Sequence, residues 1–71
     1  MAEEIRCETA GTIWKLWVKE GDVVTDGQEL FIMEVMKMEV PYEAPCDGVI
    51  GKVGIAEGDV VQEDNLAMTV G

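Results

Sequence analysis

The chain of 71 residues contains no histidine and no serine. Serine–histidine–aspartate and cysteine–histidine catalysis are thereby excluded, as is any zinc site that needs an imidazole. Only two cysteines are present, Cys7 and Cys46, too few for an all-thiolate zinc tetrahedron and not in CxxC spacing. They read as reduced, small hydrophobes, with a Cys7–Cys46 disulfide as the alternative. Basic side chains are scarce: five against fifteen carboxylates, a formal net charge of −10. Such a chain repels phosphate backbones and anionic membrane surfaces, so nucleic acid is not an expected partner. No apolar run approaches the roughly 18 residues of a membrane-spanning helix, so no direct membrane insertion is expected. Residues 1–8 are acidic and lack the apolar stretch of a secretory leader, which makes the cytoplasm the expected compartment.

What is there suffices for one domain spanning residues 1–71. A chain this short buries only about 60% of the surface it exposes when unfolded. It has little material for the walls of a deep substrate pocket, which argues against a free-standing enzyme. No linker or low-complexity segment is visible.

The chain repeats itself at an offset of 37. Gly11, Ile13, Lys15 and the run Glu20–Val24 are identical to Gly48, Ile50, Lys52 and Glu57–Val61. Two copies are too few for a solenoid. A quasi-two-fold pair of small β units is the expected architecture, each copy unable to bury its apolar face alone. The local signal is strand. Thr12–Val18 is rich in β-branched and aromatic residues, and Leu30–Met33, Val49–Val53 and Leu66–Val70 are apolar runs of strand length. Turn signals recur at Glu20-Gly21-Asp22, Asp26-Gly27, Asp47-Gly48 and Glu57-Gly58-Asp59. Pro41 belongs at a sheet margin, because proline cannot donate to a ladder. An all-β sandwich or barrel follows.

One segment stands out as a place for chemistry, Glu34-Val35-Met36-Lys37-Met38-Glu39-Val40. Lys37 is the only basic residue between Lys19 and Lys52, an interval that holds eight carboxylates. It lies between two strand-like segments separated by about two residues, which is hairpin spacing. Lys37 is therefore expected at a hairpin tip. Tight hairpin turns favour Asn-Gly or Asp-Gly, because both central residues need positive φ. Met36 and Lys37 are unusual there, and backbone strain of that kind is found more often at functional sites. Met36 and Met38 read as adaptable surface for a partner, with core packing of Met38 as the alternative. Glu34 and Glu39 are read either as part of the site or as a solvated face.

Glu34-Val35-Met36-Lys37-Met38 resembles the Glu-Ala-Met-Lys-Met signature of the biotinyl domains, the biotin carboxyl carrier modules. The resemblance extends over essentially the whole chain, through the Gly-Asp-x-Val turns, Gly27-x-x-Leu30 before the motif and Ala44-Pro45-Cys46-Asp47-Gly48 after it. It departs in Val35 for the commoner alanine. The short Thr25–Glu29 leaves no room for the added thumb of some bacterial acetyl-CoA carboxylase carriers.

The resemblance implies a flattened barrel of two four-stranded antiparallel sheets with quasi-two-fold symmetry and the modified lysine on a hairpin at one end. It implies biotin joined to Lys37 through an amide, with Met36 and Met38 read by a biotin protein ligase and Glu34 and Val35 flanking. The carrier would move a carboxyl group from a biotin carboxylase to a carboxyltransferase acting on an acyl-CoA or a keto acid, and would itself catalyse nothing. Lipoyl domains share the fold but usually carry Asp-Lys-Ala at the tip. A lipoyl-type carrier and an unmodified interaction module remain the alternatives.

Overall fold

A computed structural model describes residues 2–71 of the chain and shows eight strands. They are β1 (Glu3–Arg6), β2 (Gly11–Leu16), β3 (Val23–Val24), β4 (Glu29–Val35), β5 (Met38–Glu43), β6 (Gly48–Val53), β7 (Val60–Val61) and β8 (Leu66–Val70). Two four-stranded antiparallel sheets run in the orders β1-β8-β6-β3 and β5-β4-β2-β7. Adding 37 to β2 and β3 gives β6 and β7 residue for residue, β1 and β4 fall on β5 and β8 with different ends, and the same exchange turns one sheet order into the other. The repeat is thus a structural two-fold.

The symmetry reaches individual hydrogen bonds. Gly21 N–H donates to the Ile50 carbonyl at 2.8 Å, and Gly58 N–H donates to the Ile13 carbonyl at 2.8 Å. Each bond ties a turn of one half to a strand of the other. Asp22 Oδ2 accepts from Lys19 N–H at 3.0 Å, and Asp59 Oδ2 accepts from Ala56 N–H at 2.9 Å, so each aspartate closes its own turn by reaching back three residues. Gly21 and Gly58 have φ of 92° and 90°, a region glycine occupies without steric cost.

The core lies between the sheets. Ile13, Leu30, Phe31, Met33, Ile50, Met68 and Val70 are almost fully buried there, with contributions from both halves. The expected apolar run Leu30–Met33 is buried throughout. Alternation along β4 sends Phe31 and Met33 inward. Ile32 lies outside the core cluster, between Lys15 of β2 and Pro41 of β5. The Tyr42 ring stacks on Phe31, centroids 4.6 Å apart, and its hydroxyl accepts Glu8 N–H at 2.9 Å. Pro41 sits in β5, an edge strand, as a residue without an N–H requires. Cys7 is buried and Cys46 half-buried, both free thiols.

Two expectations are refined, and three strands were not anticipated. The strand expected over Thr12–Val18 ends at Leu16, after a bulge between Ile13 and Lys15. The turn signal at Asp47-Gly48 falls on a bend over residues 45–47, but Gly48 itself opens β6, and an added Cβ there would stand 3.0 Å from Gly71 N. The acidic β1 and the two-residue β3 and β7 carry no sequence pattern of their own.

The hairpin site and its family

Strands β4 and β5 pair from Glu29↔Glu43 to Val35↔Met38, leaving Met36 and Lys37 as the two-residue turn. Their φ values are 52° and 65°. Both are left-handed, as the turn that matches the right-handed twist of a hairpin demands. Two non-glycine residues therefore hold a conformation that costs an L-residue roughly 1–2 kcal/mol.

The tip projects from a firm base. Met33 is fully buried, and Val35 packs against the core as a half-buried residue. Beneath it, Gly11 of β2 lies so close that an added Cβ would stand 2.7 Å from the Glu34 carbonyl oxygen and 3.0 Å from Val35 Cγ2. A hydrogen in place of a side chain lets β4 settle against β2 just before the turn. Sequence reading found Gly11 only as a repeat identity; its close approach to β4 is a tertiary fact.

Beyond that base the side chains are free. Met36 is 91% exposed and Met38 67%, which decides for the surface reading of both. Parity puts Met38 on the same side as the half-buried Val40 and Tyr42, but the barrel ends below it. Glu34 and Glu39 are exposed and face each other across the hairpin. Lys37 is exposed, and among the described residues the ion pairs join Arg6 to Glu4 at 3.0 Å and Lys19 to Asp22 at 3.6 Å. No intramolecular partner there holds the Lys37 amine.

Two surface clefts lie away from the tip. One runs between β1 and β5, lined by residues including Glu4, Arg6, Val40, Tyr42 and Pro45. The tip therefore offers an exposed amine on a protruding two-residue turn. Such an arrangement suits a group that is inserted into another protein's active site.

A barrel of two exchanged four-stranded sheets with an exposed lysine on one hairpin has the biotinyl/lipoyl fold. Residues 1–70 match the family model described as "Biotin-requiring enzyme". The chain is 37% identical over 70 residues to the "Biotinylated protein TB7.3 homolog" of Mycobacterium leprae, covering 99% of both chains. It is 41% identical over 64 residues to the "Biotin/lipoyl attachment protein" of Bacillus subtilis, covering 90% of this chain and 88% of that one. It superposes on the urea carboxylase of Kluyveromyces lactis with a TM-score of 0.88 and 31% identity, spanning 99% of this chain and 6% of that one. The chain belongs to the biotin/lipoyl attachment family.

Proposed function

We propose that this protein is a biotin carboxyl carrier, modified on Lys37 and without catalytic groups of its own. The observation that carries this reading is the tip itself: Lys37 on a left-handed two-residue turn, between two exposed methionines, with no partner for its amine among the described residues. The likeness to a biotinylated protein and to a urea carboxylase supports biotin over the lipoyl group.

The residues present fit the group. A biotin protein ligase would present biotinyl-adenylate. The Lys37 Nζ attacks its acyl carbon, an amide bond forms, the acyl–phosphate bond breaks, AMP leaves, and the amine releases its proton to the ligase or to solvent. Met36 and Met38 present apolar, adaptable side chains on either side of the nucleophile, and the strained turn gives the ligase one shape to read. Once attached, biotin supplies a ureido nitrogen able to accept and give up a carboxyl group. The chain holds its tether at a fixed end of the barrel, which raises the effective concentration of the attached group at successive partner sites. Those partners are a biotin carboxylase and a carboxyltransferase, with the cytoplasm as the setting.

Co-expression of the full chain with a biotin protein ligase, and separately with a lipoate ligase, tests the reading by intact mass and peptide mapping. One biotinyl group on Lys37, absent from a Lys37→Arg variant that melts like the wild type, is the expected result. A lipoyl group alone, or modification at another lysine, refutes it.

A further inference from the structure

The two halves of the barrel share the sheet order and the Gly21 and Gly58 turn bonds, and two of the positions where they differ lie on the outer surface. Trp14 and Trp17 belong to one half, and the positions 37 residues on are Gly51 and Gly54. In the second half an added Cβ would collide with Thr69 Oγ1 at Gly51 and stand 2.9 Å from the Leu66 carbonyl oxygen at Gly54, so only the first half has room for an outward side chain at these positions. Both tryptophans point away from the core, since Ile13, Leu16 and Val18 beside them pack into it, and they are 45% and 54% exposed. They are the only tryptophans in the chain.

Both lie along the sheet that carries the Lys37 hairpin. Trp14 occupies the bulge opposite Met33 and Ile32, and Trp17 N–H bonds to the Leu30 carbonyl at 3.0 Å. At about 3.3 Å per residue, Lys37 is some 13 Å from the first level and some 23 Å from the second. A partner patch of about 800 Å² is roughly 32 Å across, so one patch can hold the tip and both indoles.

The surroundings specify the partner's chemistry. Lys15 Nζ stands 5.4 Å from the centroid of the Trp14 ring, so that ring already faces a cation. Glu29 Oε2 accepts the Trp17 indole N–H at 2.7 Å. Glu29↔Glu43 and Glu34↔Glu39 are directly opposed carboxylates on β4 and β5, an arrangement unfavourable for an isolated sheet. Indoles beside carboxylates suit arginine, which stacks on the one and pairs with the other.

We propose that Trp14 and Trp17 form a docking face for an arginine-bearing surface of the biotin protein ligase. The ligase is the partner singled out because it must bring its active site to the Lys37 amine itself, whereas later partners meet the group at the far end of a long tether. The inference rests on Lys37 being the modified residue.

The test is steady-state biotinylation of the full chain by a biotin protein ligase, comparing wild type, Trp14→Ala/Trp17→Ala and Trp14→Tyr/Trp17→Tyr. The alanine pair is expected to raise KM about tenfold with kcat unchanged, and the tyrosine pair to recover most of the loss. Wild-type and alanine chains that biotinylate on Lys37 with the same KM overturn the docking face alone, leaving the indoles as cover for the sheet surface. A wild-type chain that is never biotinylated on Lys37 overturns both this inference and the carrier reading. Should the alanine pair not fold, wild-type protein labelled with 5-fluorotryptophan is titrated with unlabelled ligase. Its two ¹⁹F resonances should both shift, and resonances that stay in place at saturation overturn the proposal.

Discussion

Replacing Met36 by asparagine separates the stability of the tip from its function. Met36 sits at φ 52°, where an ordinary L-residue costs roughly 1–2 kcal/mol and asparagine is markedly more at home. The methionine side chain is 91% exposed, so its removal returns almost no apolar area to water. The two terms leave a net gain of about 0.5–1 kcal/mol for Met36→Asn. In a domain of this size about 1 kcal/mol moves Tm by roughly 4–8 °C, so the variant should melt about 2–8 °C higher. Biotinylation of Lys37 should fall at the same time, because one apolar flank is gone. Thermal melts by circular dichroism and a timed mass assay read the two effects independently. Met36→Val provides the opposite sign, since a β-branched residue is a true outlier at positive φ. A Met36→Asn chain that melts lower than wild type, or a valine variant that melts higher, would refute the claim that the tip stores backbone strain.

Other perturbations probe the frame beneath the tip. Gly21→Val and Gly58→Val should each cost about 1–3 kcal/mol, read as a lower urea midpoint; nothing lies within 4 Å of an added Cβ at either position, so the loss would come from the backbone and not from crowding. Wild-type midpoints would contradict the two turn assignments. Gly11→Ala must displace the Glu34 carbonyl, 2.7 Å from the new methyl group, and is expected to cost about 1–3 kcal/mol and to move the amide resonances of residues 34–38. Unmoved resonances would show that the hairpin base does not depend on that contact. Stability should also fall at alkaline pH. Burial pushes the Cys7 thiol above its ordinary 9.0. Burial likewise raises the Tyr42 phenol above its ordinary 10.0, with Glu8 and Cys7 charges adding and the Glu8 N–H bond opposing. The unfolded chain then releases these protons first, so stability is intact below about pH 9 and is lost as the pH climbs through the folded values. A urea midpoint that stays flat from about pH 8 to about pH 11 would refute this.

The chain displays its symmetry openly because the repeated residues are those with local duties. Gly21 and Gly58 hold positive φ, Asp22 and Asp59 close turns, and Ile13 and Ile50 fill the core; each duty restricts the residue to one or two types. The hairpin was legible for the same reason, since Val35 and Met38 bound a two-residue gap. β1 was not legible: of Glu3–Arg6 only Ile5 is buried, and the strand exists because β8 offers it a ladder. β3 and β7 are too short to have a period, and their Val-Val pairs disappear beside strong glycine turns. Tertiary contacts account for the rest. The proximity of Gly11 to Glu34, the bulge that places Trp14, and the Tyr42–Glu8 bond all join residues at least 23 positions apart or depend on pairing with another strand.

The offset of 37 also identifies what stands opposite the tip in the other half. Glu34 and Glu39, the last carboxylate pair before the turn, correspond to Gly71 and Ala2 in the other half. Those two residues lie side by side, with an added Gly71 Cβ only 3.1 Å from Ala2 N. Among the described residues of the other half, β1 and β8 pair from Glu3↔Val70. Beneath the turn that carries Lys37, the buried Met33, the core-packed Val35 and the close approach of Gly11 hold β4 in place. Met36 and Lys37, both at positive φ, together hold a conformation that costs roughly 2–4 kcal/mol, a large share of the roughly 4–11 kcal/mol expected for a domain of this length. Strain and exposure at the tip thus mark a role outside the fold, which is why substitutions at positions 36–38 should change what the protein is joined to before they change whether it folds.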